Sequence, residues 1–141
     1  MTTNLPNWDS LHIGDAITPL VKRPTPVQLF MFSAVTWNRH QIHYNKDYAN
    51  HDGLPDVAVH RALLGNFLAQ MLTDWLGDAG RISKIEWSVR AGARPGDTLT
   101  CTGNITGKHE EDGKRYIEAD MRIENQDGTL IAPGKATLLI Y

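Results

Sequence analysis

Cysteine is almost missing from this chain. Cys101 is the only one in 141 residues, which excludes an internal disulfide and every Cys-rich metal motif. It stands among threonines in a strand-like run and reads as a buried structural thiol, which fits a reducing compartment. A dominant charge sign is missing too. The net charge is −2, with both signs spread along the chain. No basic patch or arginine-rich run marks a nucleic-acid partner. No apolar run approaches the roughly 20 residues that cross a bilayer, so no membrane association is expected. Met1 to Pro6 carries neither a basic stretch nor an apolar one, so no secretory leader is expected and the cytoplasm is the expected compartment. Internal repeats and low-complexity linkers are absent. What is present is 41% apolar and 21% charged residues. That composition reads as one globular domain over 1–141, large enough to bury a core without disulfides or metal.

Prolines break the first part of the chain, up to about Pro26, and leave one short extended piece, Ala16 to Lys22. Thr25-Pro26-Val27-Gln28 then reads as a helix start. Thr25 caps, Pro26 suits the first helical position and Gln28 sits at the capping-box position. The spacing predicts a short helix through about Val35, with Leu29, Phe32 and Ala34 turned inward. Residues 36–55 are polar and read as irregular, with a turn of helix at 46–49 and Gly53 and Pro55 as breakers. Leu64, Phe67, Leu68, Met71, Leu72 and Trp75 then recur at helical spacing. Leu63, Ala69 and Leu76 widen the apolar arc, so other structure wraps this helix on most sides. Gly77 and Gly80 end it.

From Arg81 the period changes to two. Ile85, Trp87, Val89 and Ala91 form one alternating set; Leu99, Cys101, Gly103 and Ile105 a second. Ile117, Ala119, Met121 and Ile123 form a third; Ala132, Gly134, Ala136, Leu138 and Ile140 a fourth. These are four half-buried strands. Arg94-Pro95-Gly96-Asp97, Glu111-Asp112-Gly113-Lys114 and Gln126-Asp127-Gly128 supply short turns. Short turns make the sheet antiparallel. One long apolar helix ahead of it predicts an α+β hot-dog architecture, an antiparallel sheet wrapped around a long central helix.

The polar segment after the first helix carries the chemistry. Ser33-Ala34-Val35-Thr36-Trp37-Asn38-Arg39-His40-Gln41-Ile42-His43-Tyr44 resembles the hydratase motif of MaoC-like (R)-specific enoyl-thioester hydratases. Within them it is most similar to the type-2 3-hydroxyacyl-thioester dehydratase and mesaconyl-CoA hydratase branch. That branch shows a threonine-aromatic-asparagine step and a histidine-x-isoleucine-histidine-tyrosine ending. Weaker likeness continues through Gly53 to His60, Gly96 to Leu99, and Asp127 to Ala136. The end of the long helix, Thr73-Asp74-Trp75, also resembles the small subunit of steroid side-chain enoyl-CoA hydratases, which work as heteromers.

The resemblance implies hydration of a trans-2-enoyl-CoA, or the reverse dehydration of an (R)-3-hydroxyacyl-CoA. Such chemistry needs a held water, a proton acceptor and donor, and hydrogen-bond donors for the thioester oxygen. His43 falls at the motif's catalytic histidine, and its ordinary pKa suits proton transfer near neutrality. Asn38 falls where many MaoC enzymes carry aspartate. An amide holds water but cannot be its base, so proton transfer falls on His43. His40 is a candidate for support, orienting His43 or bonding the loop. The family's oxyanion donor is a backbone N–H after a histidine, at the start of the long helix. His60-Arg61 stands there, so Arg61 N–H takes that role, favoured by a helix N-terminus. Arg61 replaces a glycine, and its side chain either crowds the pocket or reaches a CoA phosphate. The CoA thioester is the substrate, and no metal or other cofactor is expected. The acyl tunnel of such proteins lies between two hot-dog domains, so the expected partner is a second copy or another hot-dog chain.

Other readings of the same residues stand beside these. Alone, His43 is an ordinary loop histidine and Asn38 a turn or cap residue. His40, His43, His51 and His60 suggest a metal site, but no H-E-x-x-H pattern holds them. Trp75 and Trp87 read as core or interface, and Gly96-Asp97 as a turn. Arg90 and Arg94 fit either CoA phosphates or a solvated strand face. Two further functions stay open: a partial-site hot-dog subunit that completes another chain's tunnel, and a hot-dog acyl-CoA thioesterase.

Overall fold

The computed structural model describes residues 5–141. Met1 to Asn4, on which part of the leader reading rests, lie outside the described residues. The strands are β1 (Ala16–Lys22), β2 (Gly80–Trp87), β3 (Leu99–Glu111), β4 (Lys114–Glu124) and β5 (Leu130–Ile140). The α-helices are α1 (Pro26–Thr36), α2 (Lys46–His51) and α3 (Arg61–Leu76). The strands form one antiparallel sheet in the order β1-β3-β4-β5-β2. Helix α3 packs against β1, β2, β3 and β4. The sheet is therefore wrapped around a central helix, and the α+β hot-dog expectation holds.

Helix α3 has no proline and a single β-branched residue, Thr73, so local preference and burial agree. Leu64, Leu68, Met71, Leu72 and Leu76 are fully buried, each contributing about 1.5–3 kcal/mol by leaving water. Gly77 ends the helix at φ 50°. The apolar sets of β3 and β4 all face this helix, from Leu99, Cys101 and Ile105 to Ile117, Ala119 and Ile123. Cys101 is buried, and its thiol is pushed up to about 12 by desolvation. Asp112 and Gly113 both take positive φ in the two-residue turn between β3 and β4, the geometry that suits the twist of a hairpin. Pro19 lies in β1, an edge strand, where a missing N–H is tolerated.

Three expectations are corrected. The strand predicted from Arg81 through Ala91 stops as β2 at Trp87, which pairs with Gly134. The next residue of β5 is Pro133, which has no N–H to continue the ladder. Ser88 N–H still donates to Pro133 O at 3.1 Å and Arg90 N–H to Ile131 O at 2.8 Å, so the chain follows β5 past the break in the ladder, with Val89 exposed. In α1, Leu29 is buried as expected and Phe32 packs on the core, but Ala34 faces solvent and Ser33 turns inward. Ile131 and Leu139, placed on the outer face of β5 by alternation, are also buried.

Gly65 occupies the middle of α3, where glycine costs about 1 kcal/mol relative to alanine. The reason is contact: a Cβ at Gly65 would collide with the six-membered ring of Trp87. Trp87 Nε1 donates to the Arg61 carbonyl at 3.0 Å. The indole thus closes the first turns of α3 from the side of β2. Gly65→Ala should destabilise the chain by about 1–3 kcal/mol, the usual range for overpacking. Urea unfolding is the check, and a variant as stable as the parent would mean that Trp87 yields freely.

Candidate active site

The site grows from the end of α1. Thr25 caps the helix start, accepting from Gln28 N–H at 3.1 Å. At the other end Trp37 N–H reaches Ala34 O and Asn38 N–H reaches Ser33 O at 2.9 Å. With Trp37 at φ 56°, these bonds form a Schellman ending, a place normally given to glycine. The left-handed turn at Trp37 swings the chain away from the helix axis and puts Asn38 at the head of the loop. Asn38 Oδ1 accepts from His40 N–H at 3.2 Å. That bond assigns the amide: oxygen toward His40, nitrogen away. Tyr44 OH donates to Arg39 O at 2.9 Å and ties the loop across its base. A depression of about 210 Å³ opens between Phe30, Trp37, Asn38 and Tyr44.

His43 ends a 3-10 turn, Gln41–His43, and is only 8% exposed. Its Nδ1–H donates to the Ala58 carbonyl at 2.6 Å. The bond fixes the tautomer, because a carbonyl only accepts. Nε2 therefore carries the lone pair. Ala58 N–H in turn donates to Ile42 O at 2.9 Å, and Val59 N–H to Ala93 O at 2.8 Å. The segment entering α3 thus grips the motif loop through the backbone. A second depression, about 330 Å³, is lined by Leu54 to Ala58 with Ala93, Arg94 and Asp97.

The His43 ring stacks on the ring of His60, with centroids 3.8 Å apart and planes 18° apart. His60 is 1% exposed. Its Nε2 shares a hydrogen bond with Ser33 Oγ at 2.7 Å. His60 Nδ1 has no partner among the described residues, at a cost of about 1–3 kcal/mol that calls for an explanation. His40 is exposed and meets both His43 and Tyr48 edge-on at 6.1 Å. A contact path therefore runs Asn38, His40, His43, His60, Arg61.

Arg61 is the first residue of α3, where backbone N–H groups have no partner inside the helix. Its side chain takes neither expected course. Nη2 donates to the Trp87 carbonyl at 3.1 Å, and the guanidinium lies 5.8 Å from the Trp87 ring centroid. The side chain is held over β2. Asp97 is a turn residue, as expected. Its carboxylate accepts from Arg94 N–H and from Gln126 Nε2, both at 3.0 Å. Among the described residues no three His, Cys, Asp or Glu side chains converge as a metal site.

The family model of hydroxyacyl-thioester dehydratase type 2 matches residues 15–91, just over half of the chain. The chain belongs to that family. The hydroxyacyl-thioester dehydratase type 2 proteins are a hydratase/dehydratase family of hot-dog fold. The matched residues contain the whole path from Asn38 to Arg61. Mesaconyl-C(4)-CoA hydratase of Chloroflexus aurantiacus is 45% identical over 60 residues, 42% of this chain and 21% of that protein. The match thus spans about a fifth of that relative's length. Among solved structures, the (R)-hydratase from A. caviae superposes with a TM-score of 0.85 at 23% identity, over 94% of this chain and 98% of that one. A chain of the ChsH1–ChsH2 complex from Mycobacterium tuberculosis gives 0.81 at 21%, over 92% and 98%. At these identities the two structures support the fold.

Two residues of this candidate site escaped the motif reading: Ser33 and the Ala58 carbonyl. Ser33 had a signal, since it is the one polar residue between Leu29 and Val35. The Ala58 carbonyl had none, because every residue offers the same group. His60 was legible only as the residue before the oxyanion donor; its stacking on His43 is new.

Burial lowers the pKa of His43, opposed by the Ala58 bond and reinforced by the nearby His40. Burial and then the charge of His43 take His60 down to about 4 from 6.5. Both rings are neutral at pH 7. In the window from 6.5 to about 4 the unfolded chain binds more protons than the folded one, so stability falls as pH falls. For His60 the slope reaches about 1.4 kcal/mol per pH unit in that window, and His43 adds in the same direction. Urea unfolding across pH 7.5 to 4 should show this loss, and His60→Phe should flatten the curve. A parent curve flat from 7 to 4 would contradict neutral burial of both rings.

Proposed function

We propose that this chain hydrates trans-2-enoyl-CoA to the (R)-3-hydroxyacyl-CoA, or runs the reverse dehydration, with His43 as the proton-transfer group. The observation that carries the reading is the fixed tautomer of His43. Nδ1–H is committed to Ala58, so Nε2 is a free base beside the Asn38 loop. In hydration Nε2 takes a proton from water as the water oxygen bonds to Cβ. The electron pair of the double bond moves toward the carbonyl, giving an enolate. The Arg61 N–H at the α3 N-terminus stabilises that oxygen. The imidazolium then returns a proton to Cα, so atoms and charge balance. Asn38 holds the water through its amide nitrogen while Oδ1 stays on His40 N–H. His40 supports His43 from the solvent side. No cofactor beyond the thioester is invoked, and activity should survive a chelator.

The assay is loss of enoyl-thioester absorbance. His43→Ala should lower turnover by on the order of 10²–10⁴, and an unchanged rate in the folded variant would remove His43 from the mechanism. Asn38→Ala should be clearly harmful, while Asn38→Asp stays partly active because one carboxylate oxygen still accepts from His40 N–H and the other can accept from the water. If Asn38→Ala matches the parent, the water-holding role is wrong.

A second reading is favoured by one observation. Val27, Phe30, Met31, Val35 and Trp37 are all more than half exposed along α1, next to the Asn38 depression. A group of this kind marks an interaction surface. Hot-dog neighbours include the ChsH1–ChsH2 and HadBC complexes of Mycobacterium tuberculosis. The working unit is then at least two hot-dog domains, either two copies of this chain or this chain with a different one. Light scattering after size exclusion decides. A homodimer without activity that gains it from a motif-less hot-dog chain would support the heteromer; a fully active monomer at nanomolar concentration would defeat both.

A further inference from the structure

Ser33 and His60 are buried polar residues that the proposed steps do not use. They nevertheless touch the group that performs them. The His60 ring lies flat against His43 at 3.8 Å and 18°, ring contact with no room for water between. Phe32 leans on the other ring of the pair, 4.8 Å from His60 at 60°. Ser33, the next residue of α1, holds His60 Nε2 at 2.7 Å. Helix α1 thus reaches through two adjacent residues to the ring at the entrance of α3.

The geometry leaves His43 one freedom that its own bond does not remove. The Nδ1–H bond to Ala58 anchors one edge of the imidazole. It does not set the tilt of the ring about that bond, and tilt is what aims Nε2. A flat neighbour in contact with the ring does set it. That neighbour must itself be held against rotation, which is what Ser33 Oγ provides.

We infer that Ser33 and His60 are positioning residues for His43: Ser33 fixes the rotation of His60, and the face of His60 fixes the plane of His43 and keeps water off it. The inference rests on His43 being the proton-transfer group of the proposed reaction. It also accounts for a buried histidine with an unpartnered Nδ1. What is required of His60 is a flat neutral face and one anchored nitrogen. Among the described residues the titratable ring against the pair is His40, edge-on to His43, and His40 in turn meets Tyr48 edge-on. Arg61 follows His60 in the chain, but its guanidinium is turned onto Trp87.

The test uses the full chain with labelled histidine. Nitrogen NMR reads the tautomer and the titration midpoint of His43 in the parent, Ser33→Ala and His60→Gln, with no need for turnover. Both variants should shift the His43 ring-nitrogen signals and raise its midpoint toward 6.5, as the ring tilts and water reaches it, while the Ala58 bond keeps the tautomer. In the enoyl-thioester assay kcat should fall about tenfold in Ser33→Ala with KM within about twofold, because aim is lost and binding is not. His43 signals identical to the parent in both variants overturn the inference, whatever the rates. If His60→Gln does not fold, Ser33→Ala decides alone, since it removes a single oxygen atom. A parent inactive on every enoyl thioester defeats the proposed reaction, and the NMR result still decides the placement.

Discussion

The hydrogen bond from His43 Nδ1 to the Ala58 carbonyl is the contact on which the site depends. It joins the loop after α1 to the segment that enters α3, and it makes one ring nitrogen a donor so that the other must be a base. The same short segment carries Ala58 N–H to Ile42 O and Val59 N–H to Ala93 O. Three stretches distant in sequence therefore meet at two residues. Because the partners are backbone atoms, the arrangement survives most side-chain changes at residue 58 but not a shift of the segment. Burial then keeps the ring neutral, and neutrality is what a proton acceptor requires.

The fold supplies the rigidity behind that contact. Helix α3 is held by the concave sheet, and its first turn is pinned by a reciprocal pair: Trp87 Nε1 to Arg61 O and Arg61 Nη2 to Trp87 O. Gly65 makes room for the indole. The arginine that stands where the resemblance places a glycine is thereby held on β2. A departure that looked like a threat to the site is resolved by a tryptophan 26 residues away.

Much of this was legible in the residues. The period-3.6 run from Leu64 and the period-two runs of β3 and β4 define the helix and its sheet, because each face is buried on one side only. Thr25, Gly96, Asp112-Gly113 and Gly128 mark ends and turns through local chemistry. The order Asn38, His40, His43 marks the loop by resemblance. Other features depend on tertiary contact and leave little local trace. Pro133, across the sheet, lacks the N–H that a regular ladder past Trp87 would need. Ser33 looks like a weak point in an apolar helix until His60 is seen beside it. The Arg61 side chain has two sensible destinations in sequence and takes a third. The stacked histidines are 17 residues apart in the chain, and no periodicity links a loop to a helix entrance.

One group doing both proton transfers has a stereochemical consequence. In the proposed hydration His43 Nε2 works from one face of the enoyl thioester, so the proton it takes from water and returns to Cα must arrive on the face that water attacked. The direct measurement is hydration of a trans-2-enoyl-CoA in deuterium oxide, with the configuration at C2 and C3 of the product read by NMR. The account predicts the (R)-3-hydroxy product with deuterium at C2 added syn to the hydroxyl. Anti addition would require a second acid on the opposite face and would contradict a mechanism built on His43 alone.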